Sequence, residues 1–118
     1  MRSEEATSVL PPMPFLAHEE PMPGQLEMIQ DAVISLNQEG YHLAAAPTGI
    51  GKTAASLAAA LEVASHSAKK KTVFFLTSRQ TQHRIVVDTV RQINVMRKGM
   101  MPVRLVDMVG QAGMCVQP

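Results

Sequence analysis

Three stretches of the chain repeat their apolar residues at the spacing of an α-helix. Residues 25–39 and 80–98 each place apolar side chains three or four positions apart, which puts them on one helical face. Residues 52–66 are rich in alanine, the residue with the highest helix propensity. We therefore predict three helices. The predicted core positions are Leu26, Ile29, Val33 and Leu36 in the first, and Ile85, Val86, Val90, Ile93 and Met96 in the third.

Three shorter apolar stretches, residues 41–45, 72–77 and 103–109, follow these helical stretches or lie between them. Residues 72–77 read Thr-Val-Phe-Phe-Leu-Thr, and such β-branched and aromatic runs are typical of a strand buried on both faces. Strands that alternate with helices favour a parallel sheet with right-handed crossovers. The pattern therefore predicts an α/β fold in which helices flank a parallel sheet.

Composition limits the classes of protein that the chain can represent. Five of the eight prolines lie within the first 24 residues, which predicts an irregular lead-in over residues 1–22. The 118 residues, 46% hydrophobic and 18% charged, suit one domain with a packed core. A net charge of +1 means that any nucleic-acid contact must be local. No apolar run approaches the roughly 20 residues of a membrane span and no secretory signal is present, so we expect a cytoplasmic protein without membrane contact.

Residues 46–53 read Ala-Pro-Thr-Gly-Ile-Gly-Lys-Thr and stand between a predicted strand and a predicted helix. They match the phosphate-loop pattern G-x-x-x-x-G-K-[ST], with alanine in the first position. Lys52 would reach the β- and γ-phosphates, and the Thr53 hydroxyl would bind Mg²⁺. The alternative is a glycine-rich turn before an alanine-rich helix. The predicted nucleotide-binding residues of this phosphate loop and the helix start are Thr48, Gly49, Ile50, Gly51, Lys52, Thr53 and Ala54.

A second polar cluster, residues 77–84, follows the second predicted strand. Ligands of open α/β sheets sit outside the carboxyl ends of the strands, at the same edge as the phosphate loop. Ser78, Arg79 and Gln82 therefore offer groups that suit a phosphodiester backbone. The alternative is an ordinary polar loop in which Thr77 or Ser78 caps the next helix.

Two single residues also have an alternative interpretation. The Gln25 amide offers a donor and an acceptor that match an adenine edge, but it could equally be an exposed residue at the start of a helix. Cys115 is the single cysteine, which excludes an internal disulfide, and a lone cysteine is usually a small buried hydrophobe. The histidines do not pair at metal-ligand spacing, so from the residues alone we expect no histidine metal site.

Taken together, these motifs resemble the N-terminal part of the XPD/DinG-type superfamily 2 iron–sulfur DNA helicases, particularly archaeal members. The resemblance runs from residue 21 to residue 118. It implies an incomplete RecA-like phosphate-loop NTPase domain over residues 23–118, and ATP and Mg²⁺ as cofactors. The motifs that carry it are Pro-Gly-Gln at 23–25 with Met28, the phosphate loop, Phe-Phe-Leu-Thr-Ser-Arg at 74–79, and Val-Gly-Gln-Ala-Gly-Met-Cys at 109–115.

The resemblance also implies roles for individual residues. Gln25 matches the glutamine that contacts adenine, although Met22 stands where an arginine or aromatic residue is common. Ser78 and Arg79 match a Ser-Arg-Thr motif associated with single-stranded DNA, with glutamine in place of the threonine. Cys115 matches the first of four cysteines that hold a [4Fe–4S] cluster. The implied partners are single-stranded or forked DNA and the rest of the helicase chain.

Two parts of such a helicase are missing from the sequence. No Asp-Glu-x-His motif is present to hold Mg²⁺ and activate water, and no second motor domain follows. Phosphoryl transfer needs all these parts together. We therefore expect an N-terminal fragment or truncated reading frame that binds ATP weakly, does not unwind DNA and forms no stable cluster. The alternatives are a small phosphate-loop kinase or other NTPase, and a non-catalytic module that binds nucleotide or DNA.

Overall fold

The computed structural model describes residues 15–46 and 51–110, and within them three α-helices. The helices are α1 (Gln25–Asn37), α2 (Lys52–Ser65) and α3 (Gln80–Met96). Each begins at the residue that the sequence pattern predicts and ends slightly earlier, so the helix predictions are confirmed. Across the described residues, none of the helices has the length and apolar content that crossing a bilayer requires.

Helix α2 lies at the centre and packs against both α1 and α3. Its buried face is made largely of alanines, whose small side chains allow neighbouring helices to approach closely. Ile93 on α3 is fully buried, and Val86 and Val90 of the same helix belong to the same hydrophobic cluster. The core residues of the helices are Ile29, Ala32, Ala55, Leu57, Ala58, Ala59, Val86, Val90 and Ile93.

The end of the proline-rich lead-in belongs to this core. Phe15, Leu16 and Ala17 are all buried and pack in the same hydrophobic cluster as the helices. The Arg97 guanidinium lies 4.1 Å from the centroid of the Phe15 ring, a distance at which a cation–π interaction contributes. Residues 15–17 therefore anchor the lead-in to the helices.

The predicted parallel sheet is wrong for the described part of the chain. Residues 41–45, 72–77 and 103–109 form no strand there, and the backbone hydrogen bonds outside the helices lie in turns and at helix ends. Tyr41 and Leu43 are each 96% exposed and Leu76 is 86% exposed, so the stretches 41–45 and 72–77 are not buried on both faces. The physical reason is that β-propensity reports a fit to a paired, half-buried surface, and these segments have no paired neighbour among the described residues.

Side chains, in place of a β-ladder, hold residues 103–107 against α3. The Asn94 amide donates to the Val103 carbonyl at 3.0 Å and accepts from the Val103 N–H at 2.7 Å. Nearer the start of the helix, His83 Nδ1 lies 2.6 Å from Asp107 Oδ1. Since Asn94 is near the end of α3 and His83 near its start, this segment runs antiparallel to the helix.

We expect Asn94→Ala to lower the free energy of unfolding by about 1–2 kcal/mol, because it leaves both backbone groups of Val103 without their partner. Urea unfolding followed by circular dichroism measures the change. Gln92→Ala, an exposed position on the same helix, is the matched control and should change stability little. Equal losses in the two variants would show that the Asn94 bonds contribute nothing specific.

Candidate functional site

The start of α2 carries the described end of the phosphate loop. Gly51 is the N-cap, with φ 74° and ψ 50°, in the left-handed region that glycine adopts without steric cost. No side chain caps this end of the helix in the described residues, so its first N–H groups retain their partial positive charge. Lys52 is exposed and Thr53 half-buried, whereas Ala54 is buried. The two side chains predicted to meet phosphate and Mg²⁺ thus stand at the electropositive end of the helix.

Lys52 also connects the two ends of the phosphate loop. Its Nζ donates a hydrogen bond to the Ala46 carbonyl oxygen at 2.9 Å. A lysine ammonium has three N–H donors, so two remain for phosphate oxygens. The predicted nucleotide-binding residues Thr48, Gly49 and Ile50 lie outside the described residues.

Gln25 is fully buried beside the phosphate loop. Its Nε2 donates to the Gly51 carbonyl at 3.0 Å, and its Oε1 accepts from the Met22 N–H at 2.9 Å. The alternative of an exposed residue at the start of a helix is therefore wrong. The side chain joins the first residue of α1 to the N-cap of α2.

The contact between Gln25 and Gly51 leaves no room for a side chain on Gly51. A Cβ placed there would lie 2.6 Å from Gln25 Nε2 and 3.5 Å from Met22 Sδ. Any other residue would be strained here, because it would meet both the left-handed backbone and the buried amide.

The second polar cluster lies at the start of α3. Arg79 is the N-cap residue, with an extended backbone of φ −121° and ψ 135°, and no side chain caps this end in the described residues. The Thr77 hydroxyl accepts from the Arg79 N–H at 3.4 Å, so neither Thr77 nor Ser78 is the helix cap of the alternative interpretation. Ser78 and Arg79 are exposed and Gln82 is half-buried. The predicted phosphodiester contacts therefore stand together at one helix end.

Metal ligands are sparse in residues 15–46 and 51–110. No group of three or more His, Cys, Asp or Glu side chains there is arranged to hold a metal ion. Cys115, the predicted cluster ligand, lies outside the described residues. A four-thiolate cluster does not fit the single cysteine of this sequence.

Comparison with known proteins identifies a family for this chain. The family model described as "Type III restriction enzyme, res subunit" matches residues 18–100, which is well over half of the chain. The match includes Gln25, the phosphate loop and the start of α3. No curated protein and no solved structure matches the chain significantly.

Proposed function

The chain belongs to the type III restriction enzyme res-subunit family, a superfamily 2 helicase-like family of ATP-dependent enzymes, and we propose that it binds Mg-ATP at the start of α2. We further propose that the ATP-binding domain serves a DNA helicase, in which ATP hydrolysis is coupled to movement along single-stranded DNA and to duplex separation. More specifically, we propose that this helicase is of the XPD/DinG type that the sequence motifs resemble.

One observation carries the nucleotide proposal: Lys52 follows a left-handed glycine at a helix start that no described side chain caps, and its Nζ donates to the carbonyl of Ala46 at the other end of the phosphate loop. The ammonium, the helix N-terminus and the Thr53 hydroxyl together form a donor set that suits a triphosphate with its Mg²⁺. When bound, Mg²⁺ would neutralise the charge that develops on the phosphates. Lys52 would orient the terminal phosphates, and Thr53 would supply an oxygen ligand.

Titration of Mg-ATP against the wild type and Lys52→Ala tests the proposed nucleotide binding at the start of α2. Nucleotide binding that depends on Lys52 supports it. Equal affinity in the two proteins would overturn the assignment of the phosphate loop.

The start of α3 supports the nucleic-acid half of the proposal. Arg79 is exposed and forms no ion pair among the described residues, so its charge is available to a phosphate. Ser78 stands beside it on an exposed side chain, and Gln82 follows within the first turn of the helix. Such side chains position a nucleic-acid backbone and carry no base specificity themselves.

We expect Arg79→Ala to weaken single-stranded DNA binding uniformly across sequences and to lower the salt slope of the affinity by about one counterion. Fluorescence anisotropy with labelled oligonucleotides at several salt concentrations measures both. Arg104→Ala removes another exposed arginine outside the cluster and is the matched control. Equal weakening by the two substitutions would indicate diffuse electrostatic attraction and contradict a site at the start of α3.

A further inference from the structure

A groove runs along α3, between the helix and residues 107–109. We infer that it holds one nucleotide of a single-stranded DNA whose adjoining phosphate is bound at Arg79. This inference rests on the proposed nucleic-acid binding at the start of α3. It lengthens the proposed contact from a helix end to a track along the helix, and the occupant is the phosphate, sugar and base of a single nucleotide unit.

One wall of the groove is a face of α3. The groove has a volume of about 550 Å³, within the range of roughly 300–1,000 Å³ that is usual for small-molecule sites. The helix side chains along it recur at spacings of three and four residues, so they share one face. They include Gln80, Arg84, Val87 and Arg91. Since Gln80 directly follows Arg79 in the chain, the groove begins beside the proposed phosphate contact.

The other wall consists of residues 107–109, which side chains hold against the helix. His83 Nδ1 lies 2.6 Å from Asp107 Oδ1, and Asn94 holds the preceding part of this segment through two hydrogen bonds to its backbone. Asp107 and Val109 line the groove from this side. Because the wall is held by the protein's own bonds, a ligand need not order it, and the entropic cost of binding is lower.

Arg84 supplies a charge that the groove leaves available. Two carboxylates line the groove, and each has a partner: Asp107 pairs with His83, and Asp88 Oδ1 lies 3.4 Å from Arg91 Nη1. Arg84 is exposed and forms no ion pair among the described residues. A guanidinium in this situation can donate two parallel hydrogen bonds to a phosphate.

The groove also offers surface for a base and a sugar. Val87 and Val109 are half-buried and line it from opposite walls, and the His83 ring lines it as well. Proteins that bind single strands combine cations that follow the backbone with ring side chains on which bases stack. A cation beside apolar and ring surfaces therefore suits a nucleotide of a strand better than an isolated phosphate ion.

Fluorescence anisotropy with labelled oligothymidylate at several salt concentrations tests the role of Arg84. We expect Arg84→Ala to weaken binding by about fivefold and to lower the salt slope by about 0.7, the value for one phosphate contact on a single strand. Stability should be unchanged, because the side chain is exposed. Lys98→Ala removes an exposed cation beyond the end of α3 and is the matched control. Equal weakening by both substitutions would indicate diffuse attraction and overturn the inference.

A second measurement shows whether the strand enters the groove. With the same oligothymidylate, the methyl resonances of Val87 and Val109 in NMR spectra should shift, because both side chains line the groove. Val33 on α1 packs against the core and is the control, and its resonances should stay in place. If Arg84→Ala weakens binding but neither groove valine shifts, Arg84 acts only through long-range attraction and the inference is overturned.

The outcomes separate this inference from the function on which it rests. If Arg79→Ala weakens binding and Arg84→Ala does not, the groove holds no nucleotide, and the contact at the start of α3 still stands. If the wild type binds no single-stranded DNA at all, the proposed nucleic-acid function is itself overturned.

Discussion

Replacing Lys52 by alanine should lower the affinity for Mg-ATP by about two orders of magnitude, which is the loss expected when charge-assisted hydrogen bonds to phosphate are removed. Lys52 is the first residue of α2, and its ammonium lies 2.9 Å from the Ala46 carbonyl across the loop. The variant loses both the charge facing the phosphates and this link between the ends of the loop. Titration calorimetry measures the affinity.

Stability should change little in Lys52→Ala, because the side chain is exposed and contributes no core packing. Lys70→Ala removes another exposed lysine of the chain and is the matched control for charge alone. If the two variants bind Mg-ATP equally well, the nucleotide does not bind at the start of α2.

Replacing Gly51 by alanine should lower the free energy of unfolding by about 2–4 kcal/mol and weaken nucleotide binding as well. The left-handed backbone at φ 74° accounts for about 1–2 kcal/mol of this loss. The rest comes from a Cβ that would lie 2.6 Å from Gln25 Nε2, so the buried amide must move and its bond to the Gly51 carbonyl breaks. Urea unfolding followed by circular dichroism measures the stability.

Gly99→Ala is a matched control for the part of the stability loss that comes from the left-handed backbone alone. Gly99 has φ 91°, and a Cβ built there meets nothing within 4 Å. Gly99→Ala should therefore cost only the backbone strain, about 1–2 kcal/mol. Combining Gly51→Ala with Gln25→Ala should relieve the steric part of the loss. Equal losses in Gly51→Ala and Gly99→Ala would contradict the close contact between Gly51 and Gln25.

The helices could be predicted because their signals are local. The spacing of Ile29, Val90 and Ile93 follows the helical repeat, and all three are buried, whereas Ile85 and Met96, also predicted to face the core, are 44% and 40% exposed. The Gly51–Lys52 junction marks the start of α2 in the sequence as in the structure. Whether the apolar stretches pair into a sheet could not be predicted in this way, because pairing joins segments far apart in the chain, and the predicted parallel sheet is wrong for the described residues. A run such as residues 72–77 shows only that its side chains would suit a strand, and Leu76 is in fact 86% exposed.

The site could be predicted only in part, for a related reason. The phosphate-loop pattern places Lys52 and Thr53, since their roles follow from spacing within one short segment. The burial of Gln25 could not be read from the sequence, because it depends on the approach of α1 to the start of α2. A neutral polar residue at a helix start is usually exposed, and no periodicity distinguishes the buried one. The packing of Phe15 under Arg97 is hidden in the same way by the prolines around it.

Hydrogen exchange at the start of α2 tests the central claim, that nucleotide phosphates bind there. The backbone N–H groups of residues 51–54 would be followed by mass spectrometry, with Mg-ATP and without it. The account predicts slower exchange at these positions with Mg-ATP, because phosphate oxygens accept from the first N–H groups of the helix. Unchanged exchange there at a saturating concentration, with protection only elsewhere in the chain, would contradict it.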